Sequence, residues 1–95
     1  MKIAFDPGKD ARNREKHGLS LADADQGDWT AAFNAVDDRR DYGELRWYAY
    51  LPIHGRVHVA VYTERADVVW MISLRRANTR EVRKYDELRS GRTRG

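Results

Sequence analysis

The chain has 95 residues, no cysteine and a formal net charge of +3. That length holds one small domain, and the missing cysteines exclude disulfides and thiolate metal ligands. No apolar run reaches the roughly 18 residues that a membrane span needs.

The opening Met1-Lys2-Ile3-Ala4-Phe5-Asp6 is charged too soon for a signal peptide, so a cytoplasmic protein with no membrane partner is expected. Ile3-Ala4-Phe5 reads as a short strand. Asp6-Pro7 is a helix start, with Asp as N-cap and Pro in the first turn. The helix then runs to Lys16 or His17 and stops at Gly18. On it Lys9, Asn13 and His17 share a face at i, i+4, i+8. Ser20 with Asp23 suggests a second N-cap and a short helix over 21–26, closed by Gly27.

Residues 29–36 should enter a sheet, with Trp29, Phe33 and Val36 as apolar contacts. The stretch 37–43 is a polar loop. Three strands follow, over 45–51, 56–62 and 68–74. In the first, Leu45, Trp47, Ala49 and Leu51 alternate with Arg46, Tyr48 and Tyr50. In the second, Val57, Val59 and Val61 alternate with Arg56, His58, Ala60 and Tyr62. Tyr48, Tyr50 and Tyr62 are assigned to the face away from the core, where they can stack on bases or, for Tyr50 at least, form a half-exposed sheet face under a helix. Pro52-Ile53-His54-Gly55 and the stretch 63–67 are the expected turns, short enough for an antiparallel meander. Asn78 with Glu81 makes a capping box for a last helix over 80–89, whose apolar stripe is Val82, Tyr85 and Leu88. The fold class is α+β: a small twisted, mainly antiparallel sheet with helices packed against it. One domain is expected over 1–90, with a flexible basic tail over 91–95.

From Arg75 to Gly95 there are eight basic and three acidic residues. Arginine dominates, and its planar fork suits phosphate oxygens. A solvated helix face and a frayed tail explain the same run, and for the charge run by itself that reading is preferred. There is no Gly-rich phosphate loop, no nucleophile elbow, and no Cys or His cluster at metal spacing. No metal and no cofactor are therefore expected. His17 can exchange a proton near neutral pH, or it can simply sit as a cation at a helix C-terminus.

Several short motifs together resemble one family. They are Phe5-Asp6-Pro7, Lys9, Asn13 and Lys16-His17-Gly18; Asp38-Arg39-Arg40-Asp41-Tyr42-Gly43-Glu44 and Arg46-Trp47; Gly55-Arg56 and Val61-Tyr62-Thr63-Glu64-Arg65; then Ile72-Ser73-Leu74-Arg75-Arg76-Ala77, Glu81 and Tyr85. In this order they are similar to the BrnT-type toxins, the DUF497 family. The resemblance implies a RelE-like ribonuclease fold and the toxin half of a type II toxin–antitoxin pair. It also implies metal-independent RNA cleavage and a small DNA-binding antitoxin of ribbon-helix-helix type, BrnA-like. Lys16, His17, Glu44, Arg46, Arg65 and Arg75 match the family's polar signature. The chain departs from the family pattern at Leu45, where a second acid is usual, and at Trp70, where a cation is usual.

RNA cleavage by its own 2′-hydroxyl needs a base, an acid and cations for the phosphate. His17, Glu44, Arg46, Arg65 and Arg75 form the expected catalytic set, and Lys9, Lys16 and Arg76 the expected RNA-binding set. A competing reading of Glu44 pairs it with Arg46 or Arg65 on the sheet, and a second reading of the whole chain makes it a non-catalytic module that binds RNA or a protein.

Overall fold

The structure, a computed structural model, describes residues 1–91. One five-stranded mixed sheet organises it. The strands are β1 (Lys2–Phe5), β2 (Phe33–Val36), β3 (Trp47–Ile53), β4 (Arg56–Arg65) and β5 (Val68–Arg76), in spatial order β1-β5-β4-β3-β2. The run from β2 to β5 is the expected antiparallel meander. β1 joins it in parallel along β5, from Lys2 opposite Val68 to Phe5 opposite Met71. Two helices complete the fold, α1 (Pro7–His17) and α2 (Thr79–Ser90). Among the described residues, no helix is long and apolar enough to cross a membrane.

The turns are tighter than the sequence suggests. β3 continues through Pro52 to Ile53, leaving only His54 and Gly55 between strands, with φ of 49° and 76°. β4 runs on to Arg65, and Ala66 and Asp67 turn at φ of 50° and 65°. Two central residues with positive φ twist in the sense that adjoining antiparallel strands require. The 63–65 stretch is therefore strand, not turn. Residues 21–26 form a 3-10 segment rather than an α-helix, with the Ser20/Asp23 capping box in place. Gly91, expected to open the tail, caps α2 instead, and residues 92–95 of that tail lie outside the described residues.

The core lies on one face of the sheet. Ala49, Leu51, Ile53, Ala60, Tyr62, Val69, Met71 and Leu74 are covered there by Leu21 and Ala24 of the 3-10 segment, with Trp29 at the margin. Gly27 allows this close cover, because a Cβ on it would stand 2.7 Å from the Leu51 side chain. Tyr62 belongs to this core, contrary to its expected place. Its ring meets Trp29 edge-on at 5.5 Å, and its hydroxyl donates to Asn34 Oδ1 at 2.7 Å. The valines of β4 had suggested the reverse orientation. β4 alternates, but it has buried residues on both sides, so its periodicity does not say which side meets the cover; its neighbour's register decides it. Val59 and Val61 pair with Tyr50 and Tyr48, so all four share the second, open face.

α1 has a polar buried side, formed by Asp10 and Asn13. Asn13 acts as a short piece of strand. Its Oδ1 accepts from Leu74 N at 3.0 Å, and its Nδ2 donates to Leu74 O at 2.9 Å and to Leu19 O at 2.9 Å. It thus satisfies the edge of β5 three residues beyond the last β1 pair. Asp10 Oδ1 accepts from Leu21 N and Ser20 Oγ, tying the 3-10 segment to the same helix. Asn13→Ala should destabilise the fold by about 2–4 kcal/mol, since two buried backbone groups of Leu74 lose their partner. Denaturant unfolding with an unchanged midpoint would refute this account.

Candidate active site

The open face carries rows of side chains set by the strand register. Arg75, Val59, Tyr50 and Phe33 form one row, and Ser73, Val61, Tyr48 and Ala35 form the next. α2 crosses the first row. Its Glu81 reaches Arg75 on β5, and its Tyr85 packs edge-on against Phe33 on β2 at 5.6 Å. The Tyr85 hydroxyl also donates to Ala31 O at 3.0 Å. The Asn78/Glu81 capping box holds Glu81 at this place in the first turn.

What remains of the face is a cleft of about 510 Å³. Lys16 and His17 wall it at the C-terminus of α1. Tyr48, Tyr50, Val59 and Val61 floor it; Arg75 and Glu81 close one end; and Asp37, Asp38 and Arg39 form the far lip. Gly18, at φ of 73°, ends α1 by donating its N–H to Arg14 O, which leaves His17 as the last helical residue on the cleft wall. The His17 pKa is lowered, first by burial and then by the charges of Lys16 and Arg75. The imidazole is therefore neutral and able to accept a proton at neutral pH. The Tyr50 pKa is raised, chiefly by burial, so its phenol keeps its proton.

Three arginines of this face are matched. Arg75 forms a fork-to-fork pair with Glu81, both bonds at 2.8 Å. This raises the Arg75 pKa and lowers that of Glu81. Arg39 pairs with Asp37 at 2.8 Å, and Arg65 with Glu44 at 2.8 Å. Lys16, His17 and Arg46 form no ion pair among the described residues.

The expected catalytic and RNA-binding sets are thus divided. His17, Lys16 and Arg75 meet in the cleft. Glu44 and Arg65 pair with each other at the other end of the same face, as the competing reading had it. Arg65 lies six residues along β4 from Val59, which stands opposite Arg75, or about 20 Å away. The Arg65 guanidinium also stands over the Trp70 ring at 5.7 Å. Lys9 lies toward that end, where its charge helps Arg65 and Arg46 depress the Glu44 pKa. Arg46 sits between the two groups, half-buried, with its guanidinium 4.0 Å above the Tyr42 ring and its Nε without an acceptor. Arg76 follows Arg75 along β5 and so projects from the opposite face.

Two parts of the site were not foreseen from sequence. Glu81 is legible as a helix cap, but its pairing with Arg75 depends on how the link between β5 and α2 folds. From sequence, Asp37 belongs only to the polar loop over 37–43. Its carboxylate in fact gathers the loop, accepting from Arg39 N, Nε and Nη2 and from the Tyr42 hydroxyl. Among the described residues, no group of three or more His, Asp or Glu side chains converges as a metal ion requires.

Comparison with known proteins agrees with the motifs. The family described as "Ribonuclease toxin, BrnT, of type II toxin-antitoxin system" matches residues 5–81. Among solved structures, the chain is similar to the Brucella abortus ribonuclease toxin BrnT at 25% identity and a TM-score of 0.62, covering 83% of this chain and 99% of that one. No curated protein matches the chain.

The Asp37 pKa is drawn down to about 2, first by the hydrogen bonds from Arg39. A depressed carboxyl pKa stabilises above its unfolded value and loses that contribution as pH falls through the folded one. The loop over 37–43 should therefore stay docked at pH of about 5 and come free as pH falls from about 4 toward 2. Amide exchange in this loop will follow it, and protection unchanged across that window would refute the assignment.

Proposed function

The chain belongs to the BrnT family, the ribonuclease toxins of type II toxin–antitoxin systems, and from that premise we propose that it is an endoribonuclease whose reaction runs in the cleft. The observation that carries this reading is His17, kept neutral, in one cleft with Arg75. The 2′-hydroxyl of a bound nucleotide attacks the adjacent phosphorus, and His17 takes the hydroxyl proton. The bond from phosphorus to the 5′-oxygen breaks, and Tyr50 gives its proton to that oxygen. The products are a 2′,3′-cyclic phosphate and a free 5′-hydroxyl. Arg75 turns its fork from Glu81 to the phosphate as charge builds on the equatorial oxygens. Base, acid and cation are all side chains, so this route is metal-independent and needs no cofactor.

The rest of the face holds the strand. Lys9, Lys16, Arg46 and Arg65 supply phosphate contacts along the sheet, and Tyr48 offers a ring to a base. Glu44 holds Arg65 in place rather than handling a proton. Residues 1–90 act as one toxin domain with kinship to the RelE-like ribonucleases. Family membership implies an antitoxin partner, for which the resemblance favours a small ribbon-helix-helix protein, BrnA-like. An RNA substrate places the action in the cytoplasm. One observation favours the alternative of a non-catalytic RNA-binding module: Arg65 and Arg75 both rest against carboxylates.

Purified protein incubated with RNA and a chelator should cleave it, leaving cyclic phosphate ends. His17→Ala should lower the rate by about 10²–10⁴-fold. The acid limb of the pH–rate profile should have its midpoint below 6.5, since the histidine must be neutral to act. Expression without antitoxin should arrest growth, and His17→Ala should relieve the arrest. RNA bound with steep salt dependence yet left intact would establish the binding module instead. Glu81→Gln retains a cap for Asn78 N but releases Arg75. RNA affinity should rise about threefold to tenfold in that variant, and an unchanged affinity would mean that Glu81 does not compete with phosphate.

A further inference from the structure

Behind the cleft, on the core side of the sheet, lies a second hollow of about 320 Å³. Its chemistry comes from Arg56, His58 and Arg76, with Asp23 on its rim. Arg76 stands directly opposite His58 across β4 and β5. Neither Arg56 nor Arg76 forms an ion pair among the described residues. Asp23 accepts from Ser20 N in the capping box, which holds its carboxylate toward the 3-10 segment.

His58 is only 5% exposed. Its Nδ1 lies 2.7 Å from Arg56 O. A carbonyl oxygen can only accept, so Nδ1 carries the proton in that bond. Burial lowers the His58 pKa, so the ring is neutral and Nε2 is left as a lone-pair acceptor. Nε2 has no partner among the described residues, yet it is not sealed from solvent. The hollow thus offers two unpaired guanidinium groups for an anion beside one buried acceptor for a hydroxyl. A phosphate next to a ribose 2′-hydroxyl satisfies both demands.

The linings of the hollow and the cleft are also linked. A groove lined by Lys16, His17, Gly18, Leu19, Arg75 and Arg76 wraps the end of β5. It shares Lys16, His17 and Arg75 with the cleft, and Leu19 and Arg76 with the hollow. Arg75 and Arg76 project to opposite faces, so successive phosphates can pass from one to the other around the strand end.

We infer that the hollow at Arg56, His58 and Arg76 is a second RNA subsite. It takes a nucleotide beyond those in the cleft, with phosphate on the two arginines and the ribose 2′-hydroxyl donating to His58 Nε2. This inference rests on the reading of the cleft as the RNA site. It gives the protein a contact that DNA cannot make.

The test is fluorescence anisotropy on the full chain carrying His17→Ala to prevent cleavage, with RNAs of about four and about twelve nucleotides. Arg56→Glu and Arg76→Glu should each weaken the long RNA by at least about fivefold and lower its salt slope by about one. They should leave the short RNA within about twofold. Arg83→Glu, the same charge change on the exposed side of α2, should alter neither. His58→Leu should remove the preference for the long RNA over a DNA of the same sequence. Both arginines are exposed, so their variants keep the test decisive should His58→Leu fail to fold. Equal losses for both lengths, equal losses in Arg83→Glu, or an unchanged long-RNA affinity would each overturn the subsite. Failure of the short RNA to bind at all would instead refute the cleft.

Discussion

Much of this structure depends on the side-chain amide of Asn13 pairing with the backbone of Leu74. β1 is too short to cover β5, and the uncovered edge would leave a buried N–H and C=O without partners. Asn13 supplies both complements from a helix, and in doing so it fixes α1 in rotation and in height. One helical turn later comes His17, and one residue along β5 from Leu74 comes Arg75. The hydrogen bonds that repair the sheet edge therefore also bring the neutral histidine and the arginine into one cleft.

Charge on the open face is arranged as opposed pairs rather than as a bare basic surface. Arg75 with Glu81, Arg65 with Glu44 and Arg39 with Asp37 each hold a guanidinium in place before any ligand arrives. A preset fork loses less side-chain freedom on meeting a phosphate, and it must first leave its carboxylate. Glu81 has two tasks at once, as cap of α2 and as counter-ion of Arg75, so the position of α2 and the availability of Arg75 are linked. Lys16 and Arg46, free of ion pairs, form the standing positive field of the face.

The local elements were largely legible because their signals are local. Asp6-Pro7 and Gly18 bound α1 as their cap chemistry requires. Ser20/Asp23 and Asn78/Glu81 formed the expected capping boxes. The two-residue turns were harder, since Ala66 and Asp67 carry no glycine to announce positive φ. Tyr62 lies on the core side although the valines of β4 do not, because that strand carries buried residues on both sides. Asp37 was undervalued because a carboxylate that folds a loop has the same local sequence as one that faces water.

The sequence by itself determined the element order, the antiparallel meander, the family and the residue types available for chemistry, because these follow from caps, periodicity, short connections and motif order. Tertiary structure alone decided which of those residues meet. His17 and Arg75 are 58 positions apart, counting from 17 to 75, and the pairing of β1 with β5 and the Asn13–Leu74 hydrogen bonds bring them together. Glu44 and Arg65 share the sheet face with them, yet strand length sets the pair about 20 Å away. Arg75 and Arg76 are neighbours in sequence, and the pleat sends them to opposite sides of the sheet. Face, register and edge repair are properties of paired strands, which no single segment of the chain carries.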